Sequence, residues 1–495
     1  MLPFQPVLLV TDALVFVLLA VTAVFAWQLR RHEHLRAPWR RVARSRRGMG
    51  AAVVLAVFAV IGLLDCLHYN PALPSQKGER VFSTETRSAL DALLSKLRAE
   101  REKTYSAPLA THLFAKETVE RPDGTQVREF PRLRFGGRHL EDPAADWAGD
   151  VTRRVLAGLL GGGLAWLVLV LAVCAALARH AGGGLRKAWQ RVWAAETDLP
   201  WDVVLATMGA LCALAGLTIA LATGYHVLGT DKTGQDVLYL SLKSIRTGLI
   251  IGTLATLIML PLAVLAGIAA GYFRGWVDDL VQYLYTTLAS IPGVLLIAAF
   301  VVMMQVFIDT RSDWTLFDTV VKRADWRLVI LCAILGITSW TSLARLLRGE
   351  TLKLREVEFI QAAHAFGVSD WTIITRHLLP NVMHIVLIAV VMDFSGLVLA
   401  EAVLSYVGVG VDPATNSFGT MINGARLEMG REPVVWWSLA AAFFFMLVLV
   451  LAANLFADAV RDALDPRIRP RRLTPARVAA YLAQLARSRG RGQAA

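Results

Sequence analysis

Charged residues are scarce in this chain of 495 residues, making up 18% of the total against roughly 25% in an average soluble domain. Five long segments contain no Asp, Glu, Lys or Arg at all: 155–178, 203–230, 247–273, 280–308 and 433–457. Each is long enough for a helix that crosses a bilayer core, which needs about 20 apolar residues. The pattern excludes a soluble enzyme, a disordered chain and a fibrous protein, and it predicts a polytopic membrane protein.

Signatures of catalysis are also missing. The four cysteines lie in or at the edges of apolar segments without a CxxC spacing, which predicts small buried hydrophobes. His364, His377 and His384 lack the i, i+4 spacing of a helical metal pair, and no lysine follows a glycine, which excludes a Walker A phosphate loop. We therefore predict no enzyme, no metal site and no cofactor bound by this chain; if ATP is used, another subunit binds it.

Positive charge is in excess, with 51 Lys and Arg against 39 Asp and Glu and a net charge of +12. Sixteen arginines fall in two clusters, within 30–47 and 467–491, and each cluster directly follows an apolar segment. Basic residues in this position hold a loop on the cytoplasmic side and attract anionic lipid headgroups. Membrane lipid, and no nucleic acid, is the predicted partner of these clusters; a nucleic-acid or protein contact is the alternative.

Nine membrane spans are predicted. They are 8–29, 48–67, 155–178, 203–225, 247–271, 281–307, 327–345, 382–409 and 433–457. An odd number of spans puts the termini on opposite sides, and the positive-inside rule then predicts a cytoplasmic C-terminus and an N-terminus outside. No basic residue precedes the first span, so it is predicted to be an uncleaved helix and not a signal peptide.

Residues 68–154 form a polar segment on the outer side. Leu90, Leu93, Leu94 and Leu97 recur at helical spacing and predict one helix over 88–97. Further along, turn residues at 121–124 separate two strand-like runs, 117–120 and 126–130. We predict a small α+β insert, too small to hold much core of its own and therefore packed on the rest of the chain.

The inner loop 345–381 predicts two short helices with a tight corner. The first covers 356–366, and Gly367 suits the left-handed position that follows a helix. The second covers 370–379 and is expected to end at Pro380. Apolar and small side chains on this loop are typical of a docking surface for a partner.

Five motifs of the chain resemble those of a known family, the permeases of ABC importers. The pattern Gln361-Ala362-Ala363, Gly367 and Leu379-Pro380 resembles their EAA loop. Segments 228–236, 271–278, 404–419 and 461–467 resemble, in the same order, the second ("C-type") permease of the dipeptide/oligopeptide/nickel branch. The resemblance covers about residues 200–467. Gln361 departs from it, because the family has an acidic residue there.

The resemblance implies a permease subunit of an ATP-driven importer for peptides or similar small solutes, in the bacterial inner membrane. Implied partners are a B-type permease, two ATPase subunits that hold ATP and Mg, and an extracytoplasmic solute-binding protein. The residues implied in ATPase coupling are Gln361, Ala362, Ala363, Gly367, Leu379 and Pro380. The family motif of the outer loop comprises Gly229, Thr230, Asp231 and Asp236.

Two acidic residues, Asp393 and Glu401, lie inside the eighth predicted span, where such residues face a bundle interior or a water-filled path. Eight residues turn a helix by about 80°, so the two are not expected to share one site. Asp393 is a candidate for the substrate path, while Glu401 is either a path residue or a structural partner. Pro261 and Pro292 are candidate kinks, either where the path bends or for packing.

The expected fold is an all-α polytopic membrane protein: a six-helix ABC permease core, three additional N-terminal helices and the insert. The predicted domains are two extra helices with an Arg-rich inner loop (1–67), the insert (68–154), a third extra helix with a linker (155–199), the core (200–467) and a basic cytoplasmic tail (468–495). The alternative function is a membrane sensor whose insert binds a ligand.

Overall fold

The computed structural model describes residues 4–31, 33–73, 81–120, 126–181, 184–194, 197–310 and 319–464. Within these ranges, nine helices are long and apolar enough to cross a membrane, which confirms the predicted number. The fold is all-α apart from short strands near the insert. The predicted turn at 121–124 and the predicted tail 468–495 lie outside the described residues.

The elements are numbered in chain order. The helices are α1 (Val10–Arg31), α2 (Glu33–Arg44), α3 (Arg46–Asp65), α4 (Ala89–Leu93), α5 (Ser95–Ala99), α6 (Pro143–Ala181), α7 (Leu185–Trp193), α8 (Trp201–Ala222), α9 (Val237–Phe273), α10 (Gly275–Ser290), α11 (Gly293–Thr310), α12 (Val320–Arg355), α13 (Glu358–Ala365), α14 (Asp370–Thr372), α15 (Leu379–Val407), α16 (Phe418–Glu428) and α17 (Trp437–Leu464). The strands are β1 (Phe4–Val7), β2 (His68–Leu73), β3 (Val81–Phe82), β4 (Arg87–Ser88), β5 (Glu117–Glu120) and β6 (Gln126–Glu129).

The spanning helices join two ends of the bundle. The end that carries the insert is called the insert end, and the end that carries residues 345–381 is called the loop end. At the centre, α9 packs along α12 through small residues. A Cβ at Gly267 would lie 2.7 Å from the carbonyl oxygen of Ala344, and a Cβ at Gly271 would lie 2.7 Å from Cβ of Thr351. These glycines let the two backbones approach closely, as is common between membrane helices.

The predicted span 281–307 is wrong as a single helix. The chain forms α10 and α11 in its place, with a break at Ile291 and Pro292. Ile291 is extended, with φ −94° and ψ 132°, which is the conformation that a following proline favours. Pro292 also lacks the N–H that would continue the helix. Pro261, in contrast, lies inside α9, which continues past it.

The insert is α+β, as predicted, but its first helix is not continuous. The predicted helix over 88–97 is divided at Leu94 into α4 and α5, so its leucines do not form one stripe. Leu90 and Leu97 are buried, whereas Leu93 is 72% exposed. Strands β5 and β6 pair antiparallel. A feature that the sequence did not indicate is β1, which pairs with β2 and ties the N-terminus to the insert.

At the loop end the expected corner forms, but Pro380 does not end a helix. Gly367 follows α13 with φ +72°, the left-handed conformation expected there. Then α14, a π-helical turn over Ile373–Leu378 and α15 run on continuously. Pro380 stands in the first turn of α15. The wider π turn accommodates the proline, since the Leu379 N–H bonds to the carbonyl of Ile374.

Candidate functional site

At the loop end, α13 and the π turn are fastened to the membrane helices. Ile360, Ile373 and Leu378 are fully buried in one apolar cluster with Leu347 of α12 and Tyr272 of α9. Apolar burial of this kind is the main force that holds one element against another. This burial attaches α13 to both α9 and α12.

Polar contacts reinforce this attachment. The Tyr272 hydroxyl donates a hydrogen bond to Asp370 at 2.6 Å. Arg348 of α12 donates from a terminal nitrogen to Asp278 of α10 at 2.6 Å. That hydrogen bond from Arg348 lowers the pKa of Asp278, against the opposing effect of burial. These polar contacts thus join α9 to α14 and α12 to α10, in addition to the apolar packing.

The outward face of the loop is apolar and uncovered. Phe366 is 86% exposed, Trp371 is 70% exposed and Phe359 is 46% exposed. Several large apolar side chains left exposed on one short loop are typical of an interaction site. Ala362 and Ala363 belong to the same loop, in which the largest uncovered groups are these aromatic rings.

The six coupling residues predicted from the family motif divide by exposure. Gln361, Ala362, Gly367 and Pro380 are exposed, while Ala363 and Leu379 are half-buried. The Gln361 amide donates to the backbone carbonyl of Glu356 at 3.2 Å, within the same loop. The motif therefore contributes both to the uncovered surface and to its attachment.

At the insert end, the outer-loop motif holds the insert to the core. The hydroxyl of Thr230 accepts a hydrogen bond from the Ser106 N–H at 2.7 Å and donates to the Thr104 carbonyl at 2.9 Å. Gly229 has φ +72°, and a Cβ there would lie 2.4 Å from the Ser106 carbonyl oxygen. Trp437 of α17 donates to the Thr230 carbonyl at 2.9 Å. The insert is packed on the rest of the chain, as expected.

The two aspartates of the same motif shape the loop and cap α9. Oδ1 of Asp231 accepts the Thr233 N–H at 2.8 Å and the Gln235 N–H at 2.9 Å, which closes a tight turn. Oδ1 of Asp236 accepts the N–H groups of Leu238 and Tyr239 and so caps the N-terminus of α9. Both roles are local to the insert end.

Beneath the motif lies a buried histidine between two carboxylates. His226 Nδ1 lies 2.8 Å from Oδ2 of Asp236, and its Nε2 lies 3.5 Å from Oε1 of Glu102. Burial disfavours the charged imidazole, but the two carboxylates outweigh it and raise the pKa of His226 to about 9.

Glu102 belongs to the insert and connects it to this histidine. Its oxygens accept the backbone N–H groups of Arg134, Phe135 and Gly136 at 2.8–3.1 Å. Burial raises the pKa of Glu102, but His226 and these donors together lower it to about 2. Sequence reasoning missed Glu102, His226 and Trp437, and the one available signal was an isolated histidine in a segment without charges.

A polar cavity of about 530 Å³ opens at the insert end. Its walls come from both the insert and the core. They include Tyr105, Asp231, Asp309, Arg327, Asn423 and Glu428. Arg327 pairs with Asp309 at 2.6 Å and also contacts Asp412. The motif residue Asp231 thus lies at the rim of a hydrophilic chamber.

The two acids of α15 have different surroundings. Glu401 is 2% exposed and accepts the hydroxyls of Ser405 at 2.7 Å and Ser417 at 2.9 Å. Asp393 is half-buried, and nothing in the described ranges donates a hydrogen bond to it. Glu401 thus has structural partners, while Asp393 presents an unpaired carboxylate in the middle of a span.

These features define a polytopic membrane protein with an uncovered loop at one end and a polar chamber at the other. Residues 263–470 match the family described as "Binding-protein-dependent transport system inner membrane component". The chain is 32% identical over 244 residues to the glutathione transport system permease protein of Pectobacterium atrosepticum, covering 49% of this chain and 73% of that protein. It is 34% identical over 244 residues to the oligopeptide transport system permease protein of Mycobacterium bovis, covering 49% and 77%.

The chain belongs to this family of inner membrane transport components. It is a multi-pass permease subunit and not an enzyme, since ATP hydrolysis in such systems belongs to a separate subunit. About half of this chain lies outside each alignment.

Proposed function

We propose that this chain is one permease of an importer for peptides or similar small solutes, and that two ATPase subunits drive it through the loop 345–381. The named relatives act in glutathione and oligopeptide transport, which supports this substrate class. The observation that carries the coupling role is the uncovered aromatic surface of Phe359, Phe366 and Trp371. A permease needs such a surface where an ATPase subunit docks.

The mechanism follows from how the loop is held. Closure of the ATPase subunits around ATP and Mg displaces α13, and buried Ile360 carries the displacement to α9 and α12. If ATP binds more tightly when the permease is open to the outside, ATP shifts the population toward that state. We assign contact with the ATPase to Gln361 and Ala362. The proposed role of Gly367 is to fix the corner between α13 and α14.

The translocation path is proposed to lie between this chain and a second, B-type permease. The exposed side chains of Met392, Leu399 and Val403 recur on one side of α15, a surface available to a second subunit. Half-buried Asp393 lies about 100° around the helix from Met392. The loop end is proposed to be cytoplasmic, with the N-terminus and the insert outside, which agrees with the arginines near 30–47. A solute-binding protein then delivers its cargo to the polar cavity.

The test is affinity purification from native membranes, with identification of the retained subunits and an ATPase assay. Changing Phe366→Asp and Trp371→Asp together places charge on the uncovered surface without disturbing buried groups. We expect this variant to lose the ATPase subunits while it keeps the second permease and its thermal stability.

The matched control is Leu93→Asp, which changes a 72% exposed leucine at the insert end. The control should retain every subunit. Equal retention of ATPases by the double variant and the control contradicts the coupling role. Absence of ATPases from the wild-type preparation contradicts the proposed function as a whole.

A further inference from the structure

The short helix α7 lies in the N-terminal half of the chain, outside the part that matches the family model. It connects two spanning helices, α6 and α8, at the loop end. Its sequence, LRKAWQRVW, contains three cations, two tryptophans and no acidic residue. This composition is typical of a helix that lies in a membrane interface.

One side of α7 is buried against the two spanning helices that it connects. Ala188 and Val192 pack in one apolar cluster with Val170 and Cys174 of α6 and Leu205 of α8. Val170 precedes the first charged residue after the apolar segment 155–178 by nine positions, or roughly 13 Å of helix. Since α7 packs on an apolar stretch of a spanning helix, it lies alongside the bilayer and does not project into water.

A second side of α7 is apolar but uncovered. Leu185, Trp189 and Trp193 recur every four residues and are 55%, 39% and 43% exposed. The two indole rings lie 5.8 Å apart. Residues four apart are offset by about 40° around a helix, so the three share one stripe next to the buried side. Tryptophan is enriched where membrane meets water, because its ring is apolar and its N–H is polar.

The cations of α7 lie outside the apolar arc. Arg186, Lys187 and Arg191 are all exposed. No acidic residue lies between 179 and 195, so the segment that contains α7 carries a surplus of positive charge. A basic segment at the membrane surface attracts anionic lipid with about 1 kcal/mol per Lys or Arg.

From this arrangement we propose that α7 is an interfacial binding site for anionic phospholipid, with the Leu185–Trp189–Trp193 stripe in the acyl boundary and the three cations on lipid phosphates. The stripe is assigned to lipid because α7 packs on the apolar parts of α6 and α8. The headgroups are assigned a negative charge because α7 carries three exposed cations and no acidic residue. The site is independent of the proposed coupling role, because it lies on a different element.

Lipid selectivity is tested on the full chain in detergent. Phosphatidylglycerol or phosphatidylcholine is titrated, and the thermal unfolding midpoint is followed at each concentration. We expect phosphatidylglycerol to stabilise the wild type at a lower concentration than phosphatidylcholine does. The variant Arg186→Gln/Lys187→Gln/Arg191→Gln should need a roughly 100-fold higher phosphatidylglycerol concentration for the same stabilisation, because it lacks three cations that each contribute about 1 kcal/mol.

The matched control is Arg345→Gln/Lys353→Gln/Arg376→Gln, which removes the same charge from exposed positions at the same end of the bundle, outside α7 and outside the arginine cluster of 30–47. It should keep most of the selectivity. Equal losses in the two triple variants mean general charge attraction and overturn a site on α7, as does an unchanged titration in the α7 variant.

The position of the stripe is tested separately by fluorescence in reconstituted vesicles. The signal of Trp189 and Trp193 is the difference between the wild type and Trp189→Phe/Trp193→Phe. Lipids brominated on their acyl chains should quench this signal, and aqueous iodide should not. Quenching by iodide places the rings in water, and quenching by neither agent places them under protein; either result overturns the proposal.

Discussion

The two ends of α9 differ in which kinds of side chain are buried and which are exposed. At the insert end, charged side chains are buried and paired: Lys243 lies 3.1 Å from Asp91, and Arg246 lies 2.7 Å from Asp12. At the loop end, the neighbouring elements leave Phe366 and Trp371 largely in the open. The insert end thus buries charged residues in pairs, whereas the loop end exposes aromatic residues.

This difference indicates which end of the bundle already has its contact partners within this chain. Buried charges are tolerated only when they are paired and hydrogen-bonded, so the insert end has its partners in place. Exposed aromatic surface is costly in water and is maintained where another molecule covers it. Substitutions at the insert end should therefore lower stability, and substitutions at the loop end should lower assembly.

Two glycines with the same backbone conformation give the largest expected contrast. Gly234 and Gly367 have φ values of +71° and +72°. A Cβ at Gly234 would lie 1.8 Å from the Glu102 carbonyl oxygen, whereas nothing lies within 4 Å of a Cβ at Gly367. Gly234→Ala should cost about 4 kcal/mol, through backbone clash and left-handed strain together. Gly367→Ala should cost about 1–2 kcal/mol, from the strain alone.

Thermal unfolding and trypsin sensitivity of the insert measure this contrast. Gly234→Ala should expose the insert to trypsin, while Gly367→Ala should leave the digestion pattern unchanged. Equal effects of the two substitutions would show that the insert is not sealed against the core as described.

Neutralising the buried acid of the insert should have the next largest effect. Glu102→Gln leaves an uncharged group facing His226 and weakens the bonds to the three backbone donors of 134–136. Since hydrogen bonds to charged groups contribute about 1.5–3 kcal/mol, we expect a loss of about 2–3 kcal/mol. Glu141→Gln, at an exposed position of the insert, is the control for loss of one negative charge. A Glu102→Gln protein as stable as this control would contradict the buried contact.

The same histidine predicts a smaller effect of pH. The pKa of His226 rises from 6.5 to about 9 on folding. Its contribution is therefore fully present below pH 6.5 and is lost as the pH rises through 9. The stability difference between the wild type and His226→Gln should narrow over this window. A difference that stays constant from pH 6.5 to 9 would mean that His226 does not hold its proton in the folded chain.

The smallest expected effect on stability is at Asp393, whose carboxylate has no hydrogen-bond donor in the described part of the chain. Asp393→Asn should reduce ATP-driven uptake in reconstituted vesicles severalfold and leave thermal stability unchanged. Glu401→Gln is the comparison, because Glu401 accepts hydrogen bonds from Ser405 and Ser417. It should lower stability. If Asp393→Asn transports like the wild type, Asp393 does not contribute to the path.

The sequence predicted those parts of the structure that depend on local pattern. Apolar length predicted the number of spans and Gly367 predicted the corner, because each follows from a short stretch of chain, although the sixth span is divided at Pro292. It did not predict the contact of Glu102 with His226, which are 124 positions apart and meet only through packing. The helix through Pro380 was also missed, because a π turn depends on the burial of Ile373 and Leu378 and not on the proline alone.

The alternative of a membrane sensor is disfavoured by the family to which the chain belongs. The insert is also held to the core by buried polar contacts, such as those of Thr230 with Ser106 and Thr104. Its presence is therefore compatible with the permease role of the family. We propose that the three extra helices and the insert are additions around a transport core.

The most direct test of the central claim is crosslinking from the loop end in native membranes. A benzoylphenylalanine is placed at Phe366 in one preparation and at Leu93 in another, and the crosslinked proteins are identified. The account predicts an ATP-binding subunit crosslinked from Phe366 and none from Leu93. Crosslinks from Phe366 to lipid alone, or to the same proteins as from Leu93, would contradict it.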